Sequence, residues 1–500
     1  MWDSLKYRAR SFPDYIAVEA GPSHLTFAEL YATAEQTATD LRKAGVASGD
    51  TIALSLSNTL WFAPVFLALC RLQARIVLVS PRYGSSEIQS IVAGLRVKAI
   101  LTASTRAAEL QASLSGSIPP HNAPGNIPGL PLALVQCETN PSSAEPTLTP
   151  ERETLLSRSS VIKTTSGSTG SPKSVALETA ALLTEAENVA HSLLLSPGHR
   201  ILAPVPLFHS YGFDVGLLAG LFSGATLQIF EAVVPRKILT ACAQKDTTVF
   251  LGVPSIYQLL LDTNAGADAP FSHISYALSC TAPLAPKVIE AFHMRFHVPL
   301  CQHYGSSETG AVATHIPSQV MKRLDSAGVA IKNVSVRIAA ENGEELPYGV
   351  EGEVIVRSGA LASGYITGAP PDRNPFRGEW YRTGDRGMMD AEGFLFLNGR
   401  MDDLINVGGL KVSPHEVVRV LESLPPVKEA AVIGIADAAA GQVVCAAVTL
   451  RSPATESELI SACSGRLADY KVPRRIEIMS ELPRGASGKV KLQEKDIKLT

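Results

Sequence analysis

TTSGSTGSPKSVAL, residues 164–177, decides how the chain is read. VIK stands before it and SVALE follows its only lysine, both β-favouring, so the glycines sit in a turn between two strands. A Walker A loop needs G-x-x-x-x-G-K-[ST] running into a helix. Here Pro172 precedes Lys173 and a strand follows, so that pattern is absent. The chemistry still favours an anion, because glycines let successive backbone N–H groups converge and the Ser and Thr hydroxyls add donors. Lys173 adds a charge-assisted hydrogen bond. Taken by itself, the stretch reads equally well as a solvent-exposed Ser/Gly hairpin.

Outward from it the chain alternates. TIALSLSN (51–58) reads as a buried strand, Trp61 to Leu72 as a helix and ARIVLVSP (74–81) as a second strand. SSEIQSIVAGL (85–95) reads as a helix and VKAILTA (97–103) as a third strand. Strand–helix–strand alternation predicts α/β architecture with parallel, doubly wound sheets. From Ser113 to Pro150 the composition turns proline-rich and polar, which predicts a long surface connection or a disordered excursion. Alternation resumes at residue 160 and continues to about 400, with no repeat of solenoid type.

A chain of 500 residues accommodates two or three domains, each with a sizeable core. An apolar fraction of 46% and a charged fraction of 18% are those of a globular protein. The net charge of −3 offers no electrostatic case for nucleic-acid binding. Seven cysteines are scattered singly without CxxC spacing, which argues against both a disulfide framework and a zinc site. The first twenty residues hold no apolar core of signal-peptide length. Leu60 to Cys70, the longest apolar run, is eleven residues closed by Arg71, too short to span a bilayer. A soluble, cytoplasmic protein of a reducing compartment is expected, with no nucleic-acid partner and no membrane span.

Further stretches carry a resemblance. PLFHSYGF (206–213), GVPSIY (252–257), YGSSETG (304–310), YRTGDRG (381–387), NGRMDDLINVGGLKVSPHEV (398–417) and PRGASGKV (483–490) follow the opening stretch. In kind and order they resemble the motifs of the adenylate-forming superfamily: acyl-CoA synthetases, nonribosomal-peptide adenylation domains and luciferases. The similarity covers nearly the whole chain. It implies a large N-terminal domain, 1–401, of doubly wound sheets plus a β-barrel-like subdomain. A small mobile α+β C-terminal domain, 402–500, would follow, with its hinge at Asp402.

The resemblance also implies chemistry. A carboxylate attacks the α-phosphate of ATP, giving an acyl adenylate and pyrophosphate, so catalysis is positioning plus charge stabilisation. Thr165, Ser166, Gly167, Ser168, Thr169, Gly170 and Lys173 would hold the β- and γ-phosphates. Glu308 would bind Mg²⁺, a hard cation suited to carboxylate oxygen. Ser307 would reach the α-phosphate and Tyr304 would stack on adenine. Asp385 would accept from the ribose hydroxyls, supported by Arg400. Lys489 would bridge the carboxylate and α-phosphate oxygens as a catalytic residue, with His209 and Glu308. GVPSIY is expected to be the next pocket strand. His209, Tyr211, Phe213 and Tyr257 would line an aromatic, apolar acyl pocket that suits an aryl or short-to-medium acyl carboxylate. After adenylation the C-terminal domain would rotate at Asp402. Gly408 and Gly409 would then face the pantetheine thiol of CoA or of a carrier protein acting in trans, since only eleven residues follow Lys489.

Departures from the pattern bear on specificity. Ser174 stands where relatives carry glycine. SCTAPL (279–284) replaces SGGAPL, so Cys280 and Thr281 are expected to narrow the pocket. VKLQE (490–494) follows Lys489 where many CoA ligases have a basic run, which weakens the case for CoA. Amino-acid-activating relatives carry an aspartate thirteen residues before a Gly-Ala pair. Here that position is Tyr211, and Asp214 lies three residues on. The alternatives are a stand-alone amino-acid adenylation enzyme and a luciferase-like oxygenase.

Overall fold

In the computed structural model the strands Val161–Thr165 and Lys173–Leu177 lie side by side, antiparallel, with Thr165 opposite Lys173. The expected hairpin is therefore present, and its turn lies outside the described residues. The structure describes all residues except 114–120, 123–131, 138–147, 166–172, 245, 265–270, 272, 368–373, 402, 409, 438–439, 485–489 and 498–500. Side chains at 111–113, 121–122, 165 and 411 are also not described.

The described residues form two compact units. The first comprises Met1–Leu324, Gly328–Ser335 and Val356–Tyr381; the second comprises Asp325–Ala327, Val336–Ile355 and Arg382–Thr500. The boundary expected at 401/402 falls inside the second unit.

The first unit holds two mixed sheets. One is ordered Gly364–Thr367, Lys173–Leu177, Val161–Thr165, Arg75–Leu78, Thr51–Ser55, Ala99–Ala103, Leu132–Gln136 and His121–Asn122. Its middle four strands are parallel, as the alternation predicts, and antiparallel strands close both sides. Leu132–Gln136 corrects the expectation of a bare connection over 113–150. LALVQ is an apolar run inside proline-rich sequence; its first four residues are buried, and Ala133 and Val135 join the core on one face of the sheet. The run Leu60–Cys70 becomes the helix Phe62–Arg71, in which every residue from Phe62 to Leu69 is buried.

The other sheet has nine strands. Leu300–Ser306, Tyr276–Ser279, Thr247–Gly252, Arg200–Ala203, Thr226–Ile229 and Ile16–Ala20 are neighbours in that order and all parallel. Gly310–Thr314, with Val329–Ala330 beyond it, and Ser23–Thr26 are antiparallel additions to the two flanks. GVPSIY does not form a pocket strand. The strand ends at Gly252 and Pro254 opens the helix Pro254–Asp262, because proline suits a first helical turn and cannot donate within a ladder.

The sheet of Ser335–Ala339, Gly352–Arg357, Trp380–Met389 and Phe376–Arg377, with Leu395–Arg400 also on Trp380–Met389, stays open. Among the described residues no pairing joins its end strands, so the barrel-like subdomain is not a closed barrel. In the second unit Leu410–Val412, Ile405–Val407, Gly441–Leu450 and Val427–Asp437 form a further sheet, with Arg475–Ile478 on Gly441–Leu450. Residues of the helices Pro414–Ser423 and Glu456–Ser464, among them Val417, Leu421, Leu459 and Cys463, complete its core. Among the described residues no helix is long and apolar enough to cross a membrane.

Candidate active site

The carboxyl ends of parallel strands gather the candidates in the first unit. His209 follows Arg200–Ala203, Cys280 and Thr281 follow Tyr276–Ser279, and Tyr304, Ser307 and Glu308 sit at or after the end of Leu300–Ser306. In open α/β sheets ligands bind outside those ends. Asn58 anchors the histidine segment: its amide donates to Val205 O at 2.8 Å and its carbonyl accepts from Leu207 N at 2.8 Å. Ser210 and Ser307 share a hydroxyl contact of 2.7 Å, which brings PLFHSYGF against YGSSETG.

Glu308 is held from several directions. Its carbonyl accepts from Ala362 N at 2.8 Å, and its Oε1 accepts from the Tyr365 hydroxyl at 2.7 Å. Tyr365 also shares a contact of 3.0 Å with the Tyr381 hydroxyl. Lys173 Nζ stands 5.9 Å from the Tyr365 ring centroid. Among the described residues no group of three His, Cys, Asp or Glu could cage a metal. A lone carboxylate nevertheless fits Mg²⁺, which keeps waters and takes phosphate oxygens from its substrate.

The acyl-side candidates separate. The Tyr211 and Tyr257 hydroxyls both donate to Leu278 O, at 2.8 and 2.6 Å, so each phenol is used to staple the core. Phe213 packs edge-on to Phe66 at 5.1 Å, and Tyr257 is enclosed by Phe250 and Phe292. Neither Phe213 nor Tyr257 offers exposed surface to a ligand. His209 lies against the Phe208 ring at 4.5 Å. Cys280 is buried, whereas Thr281 is exposed and takes φ +76°. His303, which the motifs do not mark, lies 5.8 Å from the Tyr211 ring, and burial pushes its pKa down to about 4.

Beneath the π-helical turn Gly212–Leu218 lies a charged cluster that no motif announces. Lys163 Nζ donates to both oxygens of Asp214, at 2.8 and 2.6 Å, with both side chains almost fully buried. Glu185, on the helix Thr179–Ser192, accepts from Ala311 N at 2.8 Å, and its Oε2 has no hydrogen-bond partner among the described residues. Burial, reinforced by Asp214, pushes its pKa up to about 8. Gly310 is required beside it: φ is +66° and a Cβ would collide with the Glu185 carboxylate.

In the second unit Asp385 and Arg400 are cross-strand partners. Arg400 donates to Asp385 Oδ1 at 3.2 Å and to Thr383 O at 3.1 Å. Gly384, at φ +73°, leaves room for that guanidinium, since a Cβ would come within 2.9 Å of Nη2. Gly408 is exposed in the turn between Ile405–Val407 and Leu410–Val412. Ser166, Gly167, Ser168, Thr169, Gly170, Asp402, Gly409 and Lys489 lie outside the described residues, and of Thr165 only the backbone is described.

Residues 5–366 match the AMP-binding enzyme family, and residues 416–489 match the AMP-binding enzyme C-terminal domain. The chain is 32% identical to a 2-succinylbenzoate–CoA ligase of Bacillus licheniformis, over 97% of both chains. It is 30% identical to a feruloyl-CoA synthase of an Amycolatopsis species, over 97% of this chain and 96% of that one. Among solved structures, an o-succinylbenzoate CoA synthetase of Bacillus subtilis with its acyl-adenylate intermediate superposes with TM-score 0.82 at 26% identity. That alignment covers 97% of this chain and 96% of the other.

Proposed function

The chain belongs to the AMP-binding enzyme family, and from that premise we propose that it is an AMP-forming acid–thiol ligase. It activates a carboxylic acid with ATP to an acyl adenylate, releases pyrophosphate and passes the acyl group to a thiol. An aryl or short-to-medium acyl acid is the proposed substrate and CoA the proposed acceptor, the latter because the full-length relatives carry CoA-ligase names. A phosphopantetheine carrier protein in trans is the alternative acceptor. The observation that supports the reading best is the contact between Ser210 and Ser307, which joins the histidine segment to the Glu308 segment at the carboxyl ends of one sheet.

Each proposed role follows from residue chemistry. Lys173 and the Ser/Gly stretch before it would supply a cation and backbone donors to the terminal phosphates. Glu308 offers Mg²⁺ a hard oxygen, and the ion when bound neutralises phosphate charge as pyrophosphate leaves. Ser307 is the proposed hydroxyl donor to the α-phosphate. Asp385, oriented by Arg400, accepts from ribose hydroxyls. Lys489 is the cation at the oxygens where charge collects. An amino-acid substrate is disfavoured, because Lys163 engages both oxygens of the nearest candidate carboxylate, Asp214.

The deciding experiment is acid-dependent ATP–pyrophosphate exchange over a panel of aryl, short-chain, medium-chain and amino acids. Thioester detection with CoA and with carrier proteins follows, beside light and oxygen-uptake controls. Exchange with no acid on the panel sinks the reading. Light or oxygen uptake without thioester favours the luciferase-like alternative.

A further inference from the structure

Tyr365 lies on the strand Gly364–Thr367, outside every motif that the sequence reading singles out. The strand pairs with Lys173–Leu177, placing Tyr365 opposite Val175 and Thr367 opposite Ser174. Thr367 Oγ1 donates to Ser174 Oγ at 2.7 Å, so the serine that replaces a glycine is used as a latch. Just before the strand, Ser363 N donates to Ala176 O at 2.9 Å and Ala362 N to Glu308 O at 2.8 Å. Residues 362–367 therefore tie the strand that starts at Lys173 to the backbone of Glu308. Tyr365 repeats the link with its side chain: the hydroxyl reaches Glu308 and the ring faces the Lys173 ammonium.

We propose that Tyr365 is a positioning residue for the metal–polyphosphate end of the site, setting the Glu308 carboxylate with its hydroxyl and the Lys173 cation with its ring. The inference rests on the reading of Glu308 as the Mg²⁺ ligand. An ionised carboxylate only accepts, so Tyr365 must give Glu308 its one proton, and Tyr381 must be the donor in the contact between the two phenols. A directed chain of this kind polarises each bond in turn. With Oε1 engaged by the phenol, the carboxylate is held in one orientation and would still have lone pairs to offer a metal, matching an ion that takes few protein ligands. Phe376, 4.8 Å from the Tyr381 ring and 6.2 Å from that of Tyr365, backs both phenols.

Tyr365→Phe keeps the ring and deletes the hydroxyl. Mn²⁺ is titrated into enzyme with ATP, and free ion is read by electron paramagnetic resonance. Removing an outer partner of a metal ligand is expected to weaken Mn²⁺ affinity by roughly ten-fold, and to raise half-saturating Mg²⁺ for pyrophosphate exchange in parallel. Turnover at saturating Mg²⁺ should fall less, by about two- to three-fold. Tyr381→Phe, which removes the outer donor, should shift both titrations in the same direction by about two-fold. Thermal midpoints without metal or nucleotide accompany each variant. A lowered midpoint with unchanged metal titrations would mean packing alone and would overturn the proposal. Glu308→Gln separates the levels. If it binds Mn²⁺ as tightly as the native protein, the metal assignment fails and this inference with it. If it binds weakly while Tyr365→Phe binds normally, only this inference fails.

Discussion

Thr281 occupies the left-handed region at φ +76°, a conformation that costs a β-branched residue strain which glycine escapes. Its side chain is exposed, so the strain is not offset by packing there. Thr281→Gly should release strain of about 1–3 kcal/mol and give back part as unfolded-chain entropy, for a net gain of about 1 kcal/mol. A raised urea midpoint at unchanged slope checks this; a lowered midpoint would show that the hydroxyl makes a contact worth more than the strain. Cys280 is the buried member of the pair and hence the better candidate for trimming the acyl site.

At the scale of elements, the turn Gly212–Leu218 is secured by burying charge. Lys163 on a strand and Asp214 on the π-helical turn neutralise one another, and Glu185 faces the pair from the helix Thr179–Ser192. Breaking such a pair costs more than the pair contributes, because the survivor is left buried and uncompensated. Glu185 is different. Its folded pKa is raised from the usual 4.5 to about 8, so it binds its proton more tightly in the folded chain. Its contribution is fully present below pH 4.5 and is lost as pH rises through about 8. The protein should therefore lose stability over that window, on the order of a few kcal/mol, from this group. Glu185→Gln is expected to flatten the slope, read as urea midpoints between pH 5 and 8.5. A slope equal to that of the native protein would assign the dependence to other groups.

For the whole molecule, the proposed reaction needs two chemical steps, and the chain comprises two compact units. Lys489→Ala removes the one cation proposed at the reacting oxygens. Adenylation should fall by about two to four decades, roughly 3–5 kcal/mol of transition-state stabilisation. Transfer from a pre-made adenylate should survive. Exchange within a few-fold of the native rate would make Lys489 an ordinary surface lysine. Asp402→Pro tests the proposed hinge, since proline holds φ near −65° and restricts the residue before it. Pyrophosphate exchange should persist while transfer to the thiol is lost. Equal losses of both half-reactions in a folded variant would mark residues 398–411 as a rigid turn.

Local sequence determined a good deal. Alternating apolar runs and helical spacings dictated the parallel centres of both large sheets, and strand-forming residues around a Ser/Gly turn dictated the hairpin at Lys173. Each motif is a short stretch whose chemistry is complete in a few neighbouring residues, which is why Glu308, Asp385 and Arg400 could be proposed from the sequence alone. What tertiary structure decided involves residues far apart in the chain. LALVQ became a strand only because a buried neighbour accepted it, despite the prolines around it. Tyr365 meets Glu308 across 57 residues and Asp214 meets Lys163 across 51, and no periodicity or spacing encodes either meeting. Phe213 and Tyr257, aromatic in a motif and so read as pocket lining, were drawn into the core because a buried ring is stabilised wherever it is enclosed. Sequence can specify which groups are able to act, because that is covalent chemistry. Which of them face one another depends on the sheets stacking and the helices covering them, and that is settled only when the chain packs.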